Sequence, residues 1–321
     1  MIQTRLTEAF GLRHPIVLAP MALASGGALA AAVTRAGGLG LIGGGYCDED
    51  WLGREWALAG NERVGCGFIT WKLAQDPGVL TRALARKPAA VFLSFGDPAP
   101  FAAEIAAAGV PLICQVQTLA DARAAVQAGA RVIVAQGAEA GGHGERRATM
   151  TLVPEVADLL AGSAPDVLLL AAGGIADGRG LAASLMLGAD GVLVGSRFWA
   201  SAESLAHPNF VKAAIDSSGD GTLRSSVADI ARGLDWPDRY TLRALANDFT
   251  DRWHGDIPGL KAKADTEAAR WQAAWGTGDP AVANAVVGEA VGLIQDRPPA
   301  AEIIDRMAAQ AEMLLNNGAR R

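Results

Sequence analysis

The chain has 321 residues, of which 50% are apolar and 19% charged, so it can bury a large core and is not a disordered protein. Its length fits one large domain or two small ones. The formal net charge of −6 leaves no broad basic surface, which argues against nucleic acid as a partner.

No targeting segment, membrane span or metal site is predicted. The N-terminal segment lacks a basic stretch followed by an apolar run and a cleavage site, and no later stretch holds about 18 or more uncharged apolar residues. Cys47, Cys66 and Cys114 have no Cys-x-x-Cys spacing, which is typical of reduced core thiols. The four histidines lie far apart in the sequence. We therefore expect a cytoplasmic protein with no metal ion and no membrane partner.

The first 200 residues repeat one unit: a short apolar run, a glycine or polar break, an alanine-rich helical stretch and a glycine. Continuous apolar runs indicate strands of a parallel sheet that helices cover on both faces. Eight units without a polar edge strand favour a closed (β/α)8 barrel, or TIM barrel, over an open sheet. The predicted strands are residues 14–21, 38–44, 64–70, 89–96, 111–117, 130–137, 166–174 and 189–196.

After Phe198 the pattern becomes helical, without good strands. Five of the eight tryptophans fall here, and packing in a small helical subdomain is their simplest role: Trp199, Trp236, Trp253, Trp271 and Trp275. We expect a barrel core at 1–200, a helical subdomain at 201–297 and a closing outer helix of the barrel at 298–321, where apolar residues recur at helical spacing.

The active site of a (β/α)8 barrel lies at the carboxyl ends of its strands, so the loops after the strands carry the candidate residues. One of these loops is long, residues 136–150, and it places His143 among Gly141, Gly142 and Gly144. Glycines on both sides give a flexible surround in which a flat ligand can approach closely. A lone histidine is more often a surface residue, but its place at a strand end and an unperturbed pKa of about 6.5 favour a role in proton transfer.

The ends of the seventh and eighth predicted strands favour phosphate binding. Loops at these positions of a barrel often receive phosphate on bare backbone N–H groups, and the small residues here are Gly173, Gly174, Gly195 and Ser196. Arg146 and Arg147 either attract an anionic substrate or are simply solvated. No dinucleotide fingerprint, P-loop or serine-nucleophile elbow is present, which disfavours those classes.

The chain resembles the nitronate monooxygenase family, formerly called 2-nitropropane dioxygenases, within the FMN-dependent (β/α)8 oxidoreductases. The resemblance covers nearly the whole length, and the run Glu-Ala-Gly-Gly-His at 139–143 is its most specific part. It implies oxidation of alkyl nitronates, such as propionate 3-nitronate, with O2, and His143 as the catalytic base. The other segments that carry it are 15–21, 36–40, 172–180 and 187–198.

The resemblance also implies an FMN-binding set. Its members are Ala19, Pro20, Met21, Gly67, Gln115, Gln136, Gly141, Gly142, Gly173, Gly174, Leu193, Val194, Gly195 and Ser196. Gly67 stands where many members have a flavin-contacting asparagine. Glu289 stands where a glutamine is common, in a segment, 288–294, that is expected to reach back to the active site.

Two other functions stay open. The same loop resembles that of flavin enzymes that oxidise NAD(P)H, namely NADH:quinone reductases and enoyl-acyl-carrier-protein reductases. A non-catalytic barrel that binds flavin or a phosphometabolite is the third hypothesis. The sequence is compatible with a homodimer and leaves the oligomeric state open.

Overall fold

The computed structural model describes residues 1–318 and contains eleven strands in two sheets. In chain order the strands are β1 (Ile16–Leu18), β2 (Leu41–Gly45), β3 (Gly65–Ile69), β4 (Val91–Ser94), β5 (Leu112–Val116), β6 (Val132–Gln136), β7 (Gly142–Gly144), β8 (Leu168–Ala172), β9 (Gly191–Val194), β10 (Thr222–Ser225) and β11 (Thr241–Leu245). Eight of them form a parallel sheet in the order β1-β9-β8-β6-β5-β4-β3-β2.

This sheet curls into a barrel because its two end strands meet. Val17 of β1 bridges in parallel to Leu39, just before β2, and Leu18 N–H donates to Leu39 O at 2.9 Å. Each of the eight predicted strands is present within its predicted range or one residue beyond it, so the (β/α)8 prediction is confirmed.

Helices surround the barrel and extend beyond it in the C-terminal third. They are α1 (Arg5–Phe10), α2 (Gly27–Arg35), α3 (Glu49–Ala59), α4 (Thr70–Leu73), α5 (Gly78–Leu84), α6 (Ala99–Ala107), α7 (Leu119–Gln127), α8 (Thr149–Ser163), α9 (Gly178–Met186), α10 (Ser196–Trp199), α11 (Pro208–Ile215), α12 (Val227–Ala231), α13 (Asp248–Trp253), α14 (Ile257–Ala262), α15 (Ala264–Thr277) and α16 (Ala300–Gly318), with 3-10 turns at Gly219–Gly221 and Glu289–Leu293. No helix within residues 1–318 is long and apolar enough to cross a membrane.

Alternation along the strands divides the apolar side chains between two layers. In β6, Val132 and Val134 fill the barrel interior, whereas Ile133 and Ala135 pack outward against the helices. All five residues of β6 are buried. Burial on both faces explains why these strands read as continuous apolar runs.

The last helix returns to the barrel after the C-terminal excursion. α16 packs against α9 and α2, two of the outer helices. Residues 319–321 of the predicted closing segment lie outside the described residues. The division of the chain at residues 200 and 298 stays a prediction.

The prediction that no good strands follow Phe198 is wrong at two places. β10 and β11 pair antiparallel, and β11 also pairs with β7. Both strands are short, and each contains an arginine, Arg224 in β10 and Arg243 in β11. In a sequence, an arginine suggests a side chain exposed to solvent, so neither segment shows the apolar pattern of a buried strand. The two arginines instead donate to backbone carbonyls of the protein.

Candidate active site

A cavity of about 810 Å³ opens at the carboxyl ends of the barrel strands, under the C-terminal segment. This volume lies in the range of small-molecule and cofactor sites, roughly 300–1,000 Å³. His143 and every predicted FMN-binding residue except Val194 line it. Val194 is fully buried and packs in the outer core, between two residues that do line the cavity, Leu193 and Gly195.

His143 is held in place from several sides rather than lying in a flexible loop. It lies in β7, paired with Leu242 of β11, and is only 7% exposed. Its Nε2 lies 2.9 Å from Asp229 Oδ2, and its ring stacks on Trp236 with centroids 3.3 Å apart. Phe95 meets the same imidazole edge to face. A fixed imidazole of this kind suits proton transfer, because little reorganisation is needed.

The contact with Asp229 selects a tautomer of His143. A carboxylate only accepts hydrogen bonds, so Nε2 carries the hydrogen and Nδ1 keeps its lone pair. Nδ1 makes no hydrogen bond within residues 1–318. Burial lowers the pKa of His143 below its usual value, against the opposing effect of Asp229. The imidazole is therefore neutral near pH 7 and can accept a proton from a ligand.

The lowered pKa of His143 makes stability depend on pH. As the pH falls, the imidazole of the unfolded chain, with a pKa of about 6.5, takes up a proton at a higher pH than the buried imidazole of the folded protein. The titration of His143 therefore leaves the free energy of unfolding unchanged well above pH 6.5 and lowers it as the pH falls below about 6.5. We expect His143→Asn to lose this part of the acid destabilisation, measured as a shallower fall of the denaturant midpoint between about pH 7.5 and 5. Equal pH slopes for the two proteins would contradict the lowered pKa.

Two arginines fix the segment that leads into β7. Arg224 donates to Ala138 O and Ala140 O at 3.0 and 3.2 Å, and Arg243 donates to Ala138 O at 2.9 Å. Burial, with the neighbouring Arg243, lowers the pKa of Arg224 to about 10, so it stays charged at neutral pH. Charged donors on these carbonyls hold the chain just before His143.

Three glutamines at the ends of β5 and β6 connect the barrel to the same segment. Gln136 Oε1 accepts from Gln115 Nε2 at 3.1 Å and from Gln117 Nε2 at 2.8 Å. Gln136 Nε2 donates to the backbone oxygen of His143 at 3.1 Å. Gln136 is thus occupied in positioning His143, although it also lines the cavity.

The predicted phosphate site has the geometry of an anion cradle. Gly173 and Gly174 have φ of +100° and +75°, which glycine adopts without strain. The backbone N–H groups of Gly174, Gly195 and Ser196 donate no hydrogen bond within residues 1–318. A Cβ atom would lie 3.5 Å from Glu139 Cβ at Gly174 and 3.7 Å from Ala19 Cβ at Gly195, which is ordinary van der Waals contact, and Gly174, Gly195 and Ser196 all line the cavity. The residues present therefore fit a phosphate-bearing cofactor.

The structure shows the surroundings of the two residues that depart from the family pattern, Gly67 and Glu289. A Cβ at Gly67 would overlap Pro20 Cγ, so the ring of Pro20 fills the space that a side chain would take. Glu289 turns away from the cavity and pairs with Arg243 at 2.8 Å. The segment 288–294 nevertheless reaches the site, since Gly288 N–H donates to Ser196 Oγ at 2.9 Å.

The arginines next to His143 in the sequence take no part in the cavity. Arg147 pairs with Glu155 at 2.5 Å, Arg146 is exposed, and neither lines the cavity. Within residues 1–318, no three His, Cys, Asp or Glu side chains are grouped to hold a metal ion.

Sequence reasoning missed Asp229, Trp236 and Gln117. Asp229 lies 86 positions from His143 in the sequence. One feature of the sequence could have indicated it: Asp229 is an acidic residue within the apolar run Val-Ala-Asp-Ile-Ala, and a carboxylate buried there needs a partner. Gln117 lies two residues after Gln115, which places both on one face of an extended chain. For Trp236 only its packing role was expected; it packs, and it also lines the cavity.

The fold and the cavity together define a (β/α)8 barrel with a buried histidine and a group of unpaired backbone N–H groups at its strand ends, within the described residues 1–318. The nitronate monooxygenase family model matches residues 3–59 and 68–310. A nitronate monooxygenase from Metarhizium robertsii is 36% identical over 95% of this chain and 93% of its own length. The chain belongs to the nitronate monooxygenase family, and it is accordingly an enzyme, an oxidoreductase of a flavoprotein family.

Solved structures show the same fold over the whole chain. FabK from Thermotoga maritima superposes with a TM-score of 0.87 and 29% identity, covering 99% of both chains. A nitroalkane oxidase from Streptomyces ansochromogenes has a TM-score of 0.81 and 25% identity, covering 97% of this chain and 99% of its own. Family membership favours an enzyme over the non-catalytic barrel, whereas the neighbours include more than one type of enzyme.

Proposed function

We propose that the chain is an FMN-dependent nitronate monooxygenase that oxidises alkyl nitronates with O2. One observation carries the proposal: a neutral, buried imidazole, His143, faces a cavity that also contains an anion cradle. Membership of the nitronate monooxygenase family supports the choice of substrate.

The cavity offers a role for each part of FMN. Gly174, Gly195 and Ser196 would hold the phosphate through their free N–H groups, and Ala19, Pro20 and Met21, after β1, would lie along the ring. FMN, when bound, supplies the redox chemistry by taking electrons from the substrate and passing them to O2.

The protein residues handle the proton. With a neutral nitroalkane, Nδ1 of His143 accepts the proton from the carbon next to nitrogen, and the resulting imidazolium is stabilised by the carboxylate of Asp229. Trp236 and Phe95 cover the imidazole and keep bulk water from it. A nitronate has already lost that proton, so His143 then orients the substrate and no proton abstraction is required.

Gly174→Val should abolish retention of FMN. A β-branched residue at φ +75° would be strained, and its side chain would add bulk against Glu139 in the wall of the cavity, beside the N–H groups proposed to bind phosphate. We expect the purified variant to be colourless and the wild type yellow, as measured by visible absorbance and by flavin released on denaturation.

Gly109→Val is the matched control, because Gly109 has φ +67°, open surroundings and no place in the cavity. It should carry a similar backbone strain and remain yellow. Equal loss of flavin in both variants would mean that strain, rather than an occupied phosphate site, explains the result.

Oxygen uptake tests the proposed reaction. Purified enzyme should consume O2 on addition of propionate 3-nitronate, with no NAD(P)H present. Uptake that requires NAD(P)H, with no response to the nitronate, would contradict the proposal.

A second candidate is an NAD(P)H-dependent flavin oxidoreductase, of the quinone or enoyl-acyl-carrier-protein reductase type. The cavity extends past the strand ends to α11 and α15, where apolar side chains line it, among them Phe210 of α11 and Trp271 and Trp275 of α15. This region is larger than a small nitronate needs, and FabK is among the similar structures. Oxidation of NADH coupled to a quinone or an enoyl thioester, without oxidation of nitronates, would favour this function.

A further inference from the structure

Arg232 is a cation that lines the cavity and has no anionic partner among the described residues. It is half-buried, it follows α12, and no other Lys or Arg lines the cavity within residues 1–318. No carboxylate of the described residues lies within salt-bridge distance of it, whereas Arg197 and Arg243 each pair with a carboxylate and Arg224 and Arg297 donate to several backbone carbonyls. A guanidinium that is partly removed from water is costly without an anion.

The environment of Arg232 holds it in position but does not neutralise it. Its guanidinium lies 5.2 Å from the ring centre of Tyr46 and 5.8 Å from that of Trp271. Asp229, three residues earlier, is bound to His143 instead. Glu139, the acidic residue among those lining the cavity, accepts from Thr149 with both of its oxygens.

A second donor lies beside the guanidinium. Tyr46 lines the cavity, and its hydroxyl oxygen accepts from Trp236 Nε1 at 3.3 Å. The hydroxyl hydrogen has no acceptor within residues 1–318. Burial raises the pKa of Tyr46, so the hydroxyl keeps that hydrogen at neutral pH. Trp236 also stacks on His143, so this pair of donors adjoins the proposed base.

We propose that Arg232 and the Tyr46 hydroxyl are the residues that bind the carboxylate of a substrate such as propionate 3-nitronate and distinguish it from nitronates that lack a carboxylate. The inference rests on the proposed function. A guanidinium recognises a carboxylate through parallel N–H bonds, and the hydroxyl adds a third donor. Arg232 is therefore a specificity residue, which discriminates among nitronates but takes no part in proton transfer.

A pair of substrates tests this in turnover. Propionate 3-nitronate carries the carboxylate, and propyl-1-nitronate has a methyl group in its place. Arg232→Met keeps an apolar stem against the two rings and removes the charge. We expect it to lower kcat/KM for propionate 3-nitronate by roughly ten- to a hundredfold, mainly through KM, and to change that for propyl-1-nitronate by less than about threefold. Arg232→Lys should restore part of the preference.

Arg86→Met is the matched control, because Arg86 makes the same kind of contact with Trp56, at 5.7 Å, on the surface. It should leave both substrates unaffected. An equal fall for both nitronates in Arg232→Met, or no fall for either, would overturn the inference.

A pair of inert ligands tests the carboxylate site without turnover. Succinate has the shape of propionate 3-nitronate, and butyrate that of propyl-1-nitronate. In calorimetry, the wild-type holoenzyme should bind succinate more tightly than butyrate, and Arg232→Met should remove the difference. A wild type without this preference, or a variant that keeps it, would overturn the site.

The two measurements separate the two proposals. If succinate shows the preference that depends on Arg232 but no nitronate is oxidised, the carboxylate site stands and the proposed function is wrong. If both nitronates are oxidised but the preference is absent, the proposed function stands and the carboxylate site is wrong.

Discussion

His143→Asn is expected to slow the oxidation of a neutral nitroalkane, such as nitroethane, by about 10²- to 10⁴-fold, the usual contribution of a positioned general base. The nitroalkane must lose a proton from carbon before it can be oxidised, and the proposed acceptor is the buried, neutral imidazole of His143, which lines the cavity. Ethylnitronate has already lost this proton, so the same substitution should lower kcat/KM for ethylnitronate by less than about tenfold. Steady-state kcat/KM for the two forms of one compound measures the difference.

Flavin content is the control for this variant, since loss of FMN would lower both rates. The variant should remain yellow, because the predicted phosphate residues, Gly174, Gly195 and Ser196, lie on other strand ends. An unchanged rate with nitroethane would mean that another group takes the proton. An equal fall in kcat/KM for nitroethane and ethylnitronate would mean that His143 contributes to binding or to structure instead.

Asp229→Asn is expected to lower the rate with nitroethane by about a hundredfold or more while preserving the fold. An amide at this place can donate to Nε2, which moves the imidazole hydrogen to Nδ1, the nitrogen that must accept the proton. The change also removes the charge that stabilises the imidazolium. In the proposed mechanism Asp229 is a positioning residue, so the rate with ethylnitronate should again fall much less than the rate with nitroethane.

A pH profile distinguishes this role from a purely structural one. Without the carboxylate the imidazolium loses its stabilising charge, so the limb of log kcat/KM that reports His143 should move to lower pH. Asp190→Asn is the matched control: Asp190 is also buried, pairs with Arg5 and precedes β9, away from the cavity. It should lower stability and leave the profile in place. If both variants behave alike, the tautomer assignment for His143 is wrong.

The barrel could be predicted because its strands are buried on both faces. In β6 and β8 every residue is buried, so each strand is a continuous apolar run, and Gly109, Gly129 and Gly188 follow the intervening helices with positive φ. These are local signals. Because the active site of a barrel lies at the carboxyl ends of its strands, the sequence also predicted that His143 and the glycines of the predicted phosphate site lie close together. In the structure they line one cavity.

The surroundings of His143 could not be predicted because they come from distant parts of the chain. β10 and β11 are short and half polar, and they are stabilised by pairing: β10 pairs with β11, and β11 pairs with β7. Asp229 and Trp236 reach the imidazole only through this pairing. The sequence therefore indicated a histidine in a flexible, glycine-rich loop, whereas the structure encloses it, with 7% of His143 exposed.

Backbone strain near the cavity was also invisible in the sequence. Leu23 and Phe95 have φ of +61° and +63°, a region that residues with a Cβ rarely adopt, and both line the cavity after β1 and β4. Phe95 thereby packs edge to face against His143. Side-chain type at these positions gives no sign of such a conformation, which the surrounding packing imposes.

The most direct test of the proposed activity is anaerobic mixing of the purified yellow enzyme with a single electron donor. We predict that propionate 3-nitronate bleaches the flavin absorbance and that NADH leaves it unchanged. Bleaching by NADH, with no response to the nitronate, would contradict a nitronate monooxygenase and favour the NAD(P)H-dependent oxidoreductase.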